Sequence, residues 1–384
     1  MQLRRRSEAP CPQDAPAILV CGGAGYIGSH TCVVLAERGY RMVIADNLSN
    51  ASAKVLERLE QLTHRPVDLR CLDVRDRAAL SQLFSSERFD AVIHFAALKA
   101  VGESCERPLD YFDNNVGGTI ALLQEMKEAG VNRLVFSSSA TVYGTPERLP
   151  VDEDARLEVT NPYGRTKLMV EQMLEDMCRA DPSFQVANLR YFNPVGAHPS
   201  GLIGEDPNVV PSNLMPYVSQ VACGRLKRLN IYGGDYPTPD GTGVRDYIHV
   251  MDLARAHVDA IEYLRRTGCG ITVNLGRGCG VSVLELVASF RRAAGREIPF
   301  EVVARRPGDV AEVYADPSRA QELLGWRAEL GIDAMCSDAW LWQRLNPRGY
   351  QGPFLDRRDR SRQDAWLGRE RRRAPWPRRV GTFA

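Results

Sequence analysis

At 384 residues, 44% hydrophobic and 25% charged, the chain has the balance of a globular protein with a large core. A formal net charge of +1 gives no global draw toward nucleic acid or an anionic membrane, and no apolar run approaches the roughly 18 residues of a membrane span. The length suits one large domain with a smaller lobe, or two domains.

In chain order, Met1–Pro16 is a basic, then polar, N-terminal extension. No apolar segment follows its arginines before the first strand, so no signal peptide is expected. From there apolar runs and helical patterns alternate. Strands are predicted at Ala17–Cys21, Arg41–Asp46, Val67–Cys71, Asp90–Phe95, Arg133–Ser137 and Val186–Arg190. Helices are predicted between them at Ile27–Arg38, Ala53–Leu62, Arg77–Ser86, Pro108–Ala129 and Pro162–Arg179. Near-continuous apolar strands in a βαβ rhythm predict an α/β fold: a doubly wound, Rossmann-type parallel sheet covered on both faces, over residues 17–190.

After Tyr191 the rhythm breaks, and Pro, Gly and Asn become frequent. Helical pieces recur at Asn213–Ala222, Met251–Leu264, Val283–Ala294 and Ile332–Trp342. Residues 191–350 are expected to form mainly a smaller mixed α/β lobe, with some segments returning to the main sheet. From Gly352 to Ala384 there are ten arginines against four acids and no sustained apolar period, which predicts a disordered basic tail. Ten scattered cysteines with no CxxC pair read as reduced thiols, as in the cytoplasm. The histidines lack metal spacing, so no metal is expected.

The first strand runs into Gly22-Gly23-Ala24-Gly25-Tyr26-Ile27-Gly28, which opens the first helix. Gly22 and Gly25 allow a tight turn and close approach of backbone to a pyrophosphate. Gly28 lets the helix pack tightly on the strand. Asp46 ends the second strand, where a carboxylate accepts hydrogen bonds from an adenosine ribose and repels a 2′-phosphate. The following Asn47–Asn50 offers no cation to that phosphate, so NAD is expected over NADP. Asp73, after the third strand, is placed to meet the adenine.

Tyr163 and Lys167 form a YxxxK pair at the head of a helix, so they share one face. A free tyrosine, with pKa about 10, is a poor base at neutral pH; a nearby ammonium and the positive nicotinamide favour its phenolate. Tyr163 then takes a hydroxyl proton while hydride leaves the same carbon. Ser139 follows the Arg133–Ser137 strand and is placed to bond the reacting oxygen.

These residues resemble the extended short-chain dehydrogenase/reductases, and within them the UDP-glucose 4-epimerase (UDP-galactose 4-epimerase) family. The carriers are GGAGYIGSH, DNLSN, HFAALKAVGES, YFDNNVGGT, FSSSATVYG, NPYGRTKLMVEQ, LRYFNPVGAHPSG, NLMPYVSQVA, DGTGVRDYIHVMDLA and RRPGDV, from about Ala17 to Tyr350. The resemblance implies a tightly bound NAD lined by Tyr26, Ile27, Asp46, Asn47, Asp73 and Val74, with Phe95, Lys99 and Asn114. It makes Tyr163 the base and Lys167 its partner, also holding the nicotinamide ribose. Ser139, Ala140 and Thr141 then face the sugar. Tyr191, Phe192 and Asn193, with Asn213, Leu214 and Met215, are implied substrate contacts. Asn230, Ile231 and Tyr232 match a strand beside uracil, and Arg245, Arg306 and Asp309 a diphosphate and ribose clamp.

The implied reaction interconverts UDP-glucose and UDP-galactose through a 4-keto sugar, in a homodimer. Val313 stands where a bulky tyrosine in relatives excludes N-acetyl sugars, so UDP-GlcNAc and UDP-GalNAc are also expected as substrates. Cys21 replaces a common threonine. Two alternatives are a nucleotide-sugar dehydratase and a non-catalytic NAD-sensing regulator. Dehydratases of this kind carry an Asp-Glu pair where this chain has Ala140 and Thr141. A regulator has no need of Tyr163 and Lys167.

Overall fold

The computed structural model describes residues 17–207, 211, 213–306 and 309–352. The N-terminal extension and the basic tail from residue 353 on, with its expected disorder, lie outside the described residues.

The first half is built from β1 (Ala17–Cys21), α1 (Tyr26–Glu37), β2 (Arg41–Asp46), α2 (Lys54–Thr63), β3 (Asp68–Cys71), α3 (Arg77–Ser86) and β4 (Ala91–His94). It continues with α4 (Val101–Glu106), α5 (Pro108–Tyr111), α6 (Gly118–Glu128), β5 (Arg133–Ser139), α7 (Pro162–Ala180), β6 (Gln185–Tyr191) and β7 (Asn193–Val195). The remainder holds α8 (Leu214–Ala222), β8 (Leu229–Tyr232), β9 (Val244–Arg245), β10 (Tyr247–His249), α9 (Val250–Thr267), β11 (Ile271–Leu275) and β12 (Val281–Ser282). After these come α10 (Val283–Ala294), β13 (Phe300–Val303), β14 (Glu312–Val313), α11 (Ser318–Leu324), α12 (Ile332–Leu345) and β15 (Pro347–Tyr350).

Seven strands form one parallel sheet in the order β11-β6-β5-β4-β1-β2-β3. The Rossmann-type expectation holds. Successive side chains of β1 face opposite layers: Ile18 and Val20 pack with α1 and α9, Leu19 and Cys21 with α3 and α6. Because both faces are covered, the strands read as unbroken apolar runs. β11 arrives from the second half and pairs with β6. The order reverses between β1 and β4, and ligands of open α/β sheets bind at such a switch, beyond the carboxyl ends of the strands.

The predicted helix Pro108–Ala129 is interrupted. Phe112–Gly117 forms a π turn between α5 and α6. The widened turn lodges Asn115, whose side chain donates to the Leu98 carbonyl (2.9 Å) and to Thr166 of α7 (3.0 Å). An inserted π residue leaves little mark on a 3.6-residue pattern. The smaller lobe has its own core of α8, α10 and α12 around β8 and β10, with Val218, Leu286, Phe290 and Met335 fully buried.

Candidate active site

The glycine-rich turn is dictated by contact. Gly22 has φ +79, and a Cβ there would lie 2.7 Å from the Ala96 nitrogen. A Cβ on Gly28 would stand 2.4 Å from the Gly22 carbonyl oxygen. Gly25 caps α1 without a side chain, so the first-turn N–H groups of Tyr26 and Ile27 are open donors at a positive helix end. This cradle suits a diphosphate.

Asp46, at the tip of β2, accepts from Ala24 N (3.0 Å) in that turn and from Leu48 N (2.8 Å). Burial pushes its carboxyl up, and the two backbone bonds oppose the shift. Asp73 receives the Arg75 guanidinium at 2.8 and 3.0 Å and the Asn47 amide at 2.9 Å, which hold it well below the usual carboxylate range. Arg75 also reaches Asp113 (2.7 Å) on the π turn. Val74 meets that region directly, since a Cβ on Gly118 would lie 2.9 Å from its Cγ2. Phe95 packs on His257, ring centroids 4.7 Å apart. Asn114 donates to Asn115 (2.9 Å).

β5 and α7 bring the Tyr–Lys pair and Ser139 together. Pro162 opens α7, and the Asn161 side chain caps it by accepting from Gly164 N (2.8 Å), which fixes Tyr163 in the first turn. One turn on, Lys167 Nζ donates to the Ser137 carbonyl (2.7 Å) and lies 5.9 Å from the Tyr163 ring centroid. Ser139 accepts from Thr141 N (3.2 Å) and Oγ1 (3.0 Å). Burial raises the Tyr163 pKa to about 12, opposed by a hydrogen bond with Ser139. Burial lowers Lys167 to about 7, opposed by Glu171. In the chain by itself, burial is the larger influence on Tyr163, and the Lys167 ammonium is engaged by the Ser137 carbonyl.

Beyond this pair, the Tyr191 hydroxyl meets Ser137 Oγ at 2.5 Å, and Phe192 is buried in a cluster with Tyr143 and the flanking Ala140 and Val313. Val313 pairs in register with Arg245 across β14 and β9. Arg245 also faces Asp309 at 3.7 Å. The Arg306 carbonyl accepts from Asp309 N (3.3 Å), while its guanidinium lies over Tyr232, 3.9 Å from the ring centroid, at the end of the strand that holds Asn230 and Ile231. Asn213 stands at the N-cap position of α8, without a side-chain cap bond, ahead of Leu214 and Met215.

Three acids were missed by sequence reasoning. Glu205 accepts from Lys99 (3.4 Å) and Asn213 (3.1 Å), joining the two lobes. Asp246 accepts from the backbone N–H of Arg277, Gly278 and Ala315 at 2.8 to 3.1 Å, while its own N–H donates to the Val313 carbonyl and its carbonyl accepts from Asn193 N. Glu171 pairs with Arg190 (2.6 Å) behind Lys167. Asp246 and Glu171 had a sequence signal, each an acid inside a quoted run, DGTGVRDYIHVMDLA and NPYGRTKLMVEQ respectively.

A glycine turn after β1 and an acid at the tip of β2, with a buried Tyr–Lys pair on the helix that follows β5, define the extended short-chain dehydrogenase/reductase class. A family model described as GDP-mannose 4,6 dehydratase matches residues 19–339. The UDP-glucose 4-epimerase of Bacillus subtilis (strain 168) is 55% identical over 335 residues, 87% of this chain and 99% of that protein. A crystal structure of UDP-glucose 4-epimerase from Bifidobacterium longum in complex with NAD+ and UDP superposes with a TM-score of 0.84 at 52% identity, covering 87% of this chain and 99% of that one. The UDP-Glc/GlcNAc 4-epimerase of Campylobacter jejuni superposes with a TM-score of 0.76 at 36% identity, covering 86% and 99%. The chain belongs to the UDP-glucose 4-epimerase family.

Proposed function

We infer that the chain is an NAD-dependent isomerase that interconverts UDP-glucose and UDP-galactose. The observation that carries the reading is the placement of Tyr163, Lys167 and Ser139 together at the carboxyl end of the parallel sheet, beside a cradle for a dinucleotide. The open N–H groups of Tyr26 and Ile27 suit the NAD diphosphate, Asp46 the adenosine ribose, and Asp73 with Val74 the adenine. Phe95, Lys99 and Asn114 also line the dinucleotide, and Lys167 holds the nicotinamide ribose. Bound NAD supplies a reversible acceptor for hydride and, when oxidised, a positive charge that opposes the burial cost of the phenolate.

Tyr163 takes the proton of the sugar C4 hydroxyl and later returns it, while Ser139 orients that oxygen, leaving a ketone at C4 between the two transfers. Arg245, Arg306 and Asp309 hold the diphosphate and ribose through forked hydrogen bonds. Asn230, Ile231 and Tyr232 flank the uracil. The nucleotide end is thereby anchored, and the keto sugar turns about its diphosphate link among Tyr191, Phe192, Asn193 and the Asn213–Met215 helix start. Val313 leaves room at C2, so UDP-N-acetylhexosamines are substrates as well. A dehydratase needs an acid after Ser139; Ala140 and Thr141 supply none.

The apolar side chains of Val101, Leu109, Ile120 and Met169 lie exposed on α4, α5, α6 and α7, and a second copy covers them in a homodimer. No helix among the described residues is long and apolar enough to cross a membrane. None of the nine described cysteines forms a disulfide, which suits the reducing cytoplasm. Tyr163→Phe tests the mechanism. It removes the proton acceptor, so kcat falls by at least about a hundredfold with bound NAD retained; undiminished turnover overturns it.

A further inference from the structure

Lys167, Glu171 and Arg190 are each more than nine-tenths buried, at 3%, 5% and 6% exposure. Glu171 lies one helical turn beyond Lys167, on the same face of α7. The Arg190 guanidinium grips its carboxylate at 2.6, 3.0 and 3.1 Å, and the Ser138 hydroxyl donates to it. Arg190 continues to the Tyr143 hydroxyl (3.0 Å), which donates to Asn274 (2.7 Å). Ser138 stands between Ser137, whose carbonyl receives Lys167, and Ser139.

We propose that Glu171 is a positioning residue for the epimerase reaction. Locked by Arg190, it pins the Ser137–Ser139 strand end and keeps a negative charge directly behind the Lys167 ammonium. The inference rests on the reading of Tyr163 and Lys167 as the proton-handling pair. A buried ion pair contributes little net stability, because desolvation offsets attraction, so retaining one here has a better account in the charge it sets beside it.

The groups around Lys167 leave this role to Glu171. On α7 the other titratable neighbour is Tyr163. From β5 come the Phe136 ring (4.9 Å) and the serines. β6 adds Arg190 and Tyr191. From β4 comes His94, which burial and then Lys167 push down to about 3, so it stays neutral. α4 and α5 contribute Glu103, bound to the Tyr111 hydroxyl (2.8 Å). Burial draws Lys167 down to about 7, and Glu171 is the charge that resists this.

The test compares holoenzymes of wild type, Glu171→Gln, Glu171→Gln with Arg190→Met, and Lys167→Met. Two quantities are followed against pH: kcat with UDP-galactose, and the lysine signal that Lys167→Met removes, in protein labelled with 15N at lysine Nζ. In Glu171→Gln the alkaline limb of kcat and the Lys167 titration both move down by about one pH unit, a tenfold loss on that limb. The double variant buries no lone charge and folds even where the single one does not; its limb moves in the same direction but less. A uniform loss at all pH values, with the Lys167 titration unmoved, overturns the proposal and leaves Glu171 merely structural. If Lys167→Met itself retains wild-type kcat, the reading of the Tyr–Lys pair fails instead.

Discussion

The Tyr26 hydroxyl donates to the Gly196 carbonyl at 2.7 Å, tying the glycine-rich turn to the start of the second lobe across 170 residues of chain. Burial raises the Tyr26 pKa well above its ordinary value, so the hydroxyl remains a donor across the working pH range. Tyr26→Phe leaves the Gly196 carbonyl without this donor. Loss of about 0.5–1.5 kcal/mol is expected. Thermal unfolding of the holoprotein reads it as a lower Tm, with faster loss of NAD on dilution. An unchanged Tm contradicts a role for the bond in joining the lobes.

In the proposed function, Val313 sets the sugar range. It is half-buried, in register with Arg245 and in the cluster of Phe192 and Tyr143. Val313→Tyr fills the space at C2, and a clash there costs on the order of 1–3 kcal/mol. Activity on UDP-GalNAc is expected to fall by about tenfold or more while that on UDP-galactose remains. Coupled assays with both substrates check the ratio; a constant ratio removes Val313 as the gate.

Much of this was legible in the chain, and the reasons differ by element. α3 and α10 match their predicted ranges because a capping acid or serine marks where each begins and an apolar stripe how far it runs: Asp76 accepts from Ala79 N, and Ser282 forms a capping box with Glu285. β5 runs two residues past its predicted end, through Ser138 and Ser139, because polar residues at a strand's carboxyl end carry no apolar signal. The glycine turn, Asp46 and the Tyr–Lys pair are local patterns with fixed spacing. Glu205, Asp246 and Glu171 escaped because their partners lie on other elements, from 8 residues (Asn213) to 106 residues (Lys99) away for Glu205 alone. No local periodicity reports such pairings.

Lys167 makes stability depend on pH. Its folded pKa is about 7 against an ordinary 10.5, so below pH 7 both states are protonated and the cost of the buried charge is present in full. Between 7 and 10.5 the unfolded chain holds a proton that the folded chain releases, and stability rises with pH. Lys167→Met is therefore expected to stabilise the NAD-free protein by about a few kcal/mol at pH 6, with the gain shrinking toward pH 10. Thermal melts of both proteins at several pH values check the trend. A gain that grows with pH contradicts it.

The subunit contact proposed above is the exposed apolar face of α5 and α6. Leu109 is 79% exposed and Ile120 41%. Leu109→Arg with Ile120→Arg places two charges in that contact, which is expected to shift the protein from dimer to monomer. Sedimentation velocity reads the change. A wild-type protein that already sediments as a monomer contradicts the assignment.

The proposed chemistry requires a cofactor held through turnover beside a tyrosine base. The most direct measurement gives purified protein UDP-galactose with no added NAD and follows the sugar nucleotide by NMR. UDP-glucose is expected to accumulate to equilibrium over many turnovers, with no net NADH and no dehydrated keto sugar. No conversion by protein that carries NAD, or accumulation of a 4-keto-6-deoxy sugar, would contradict it.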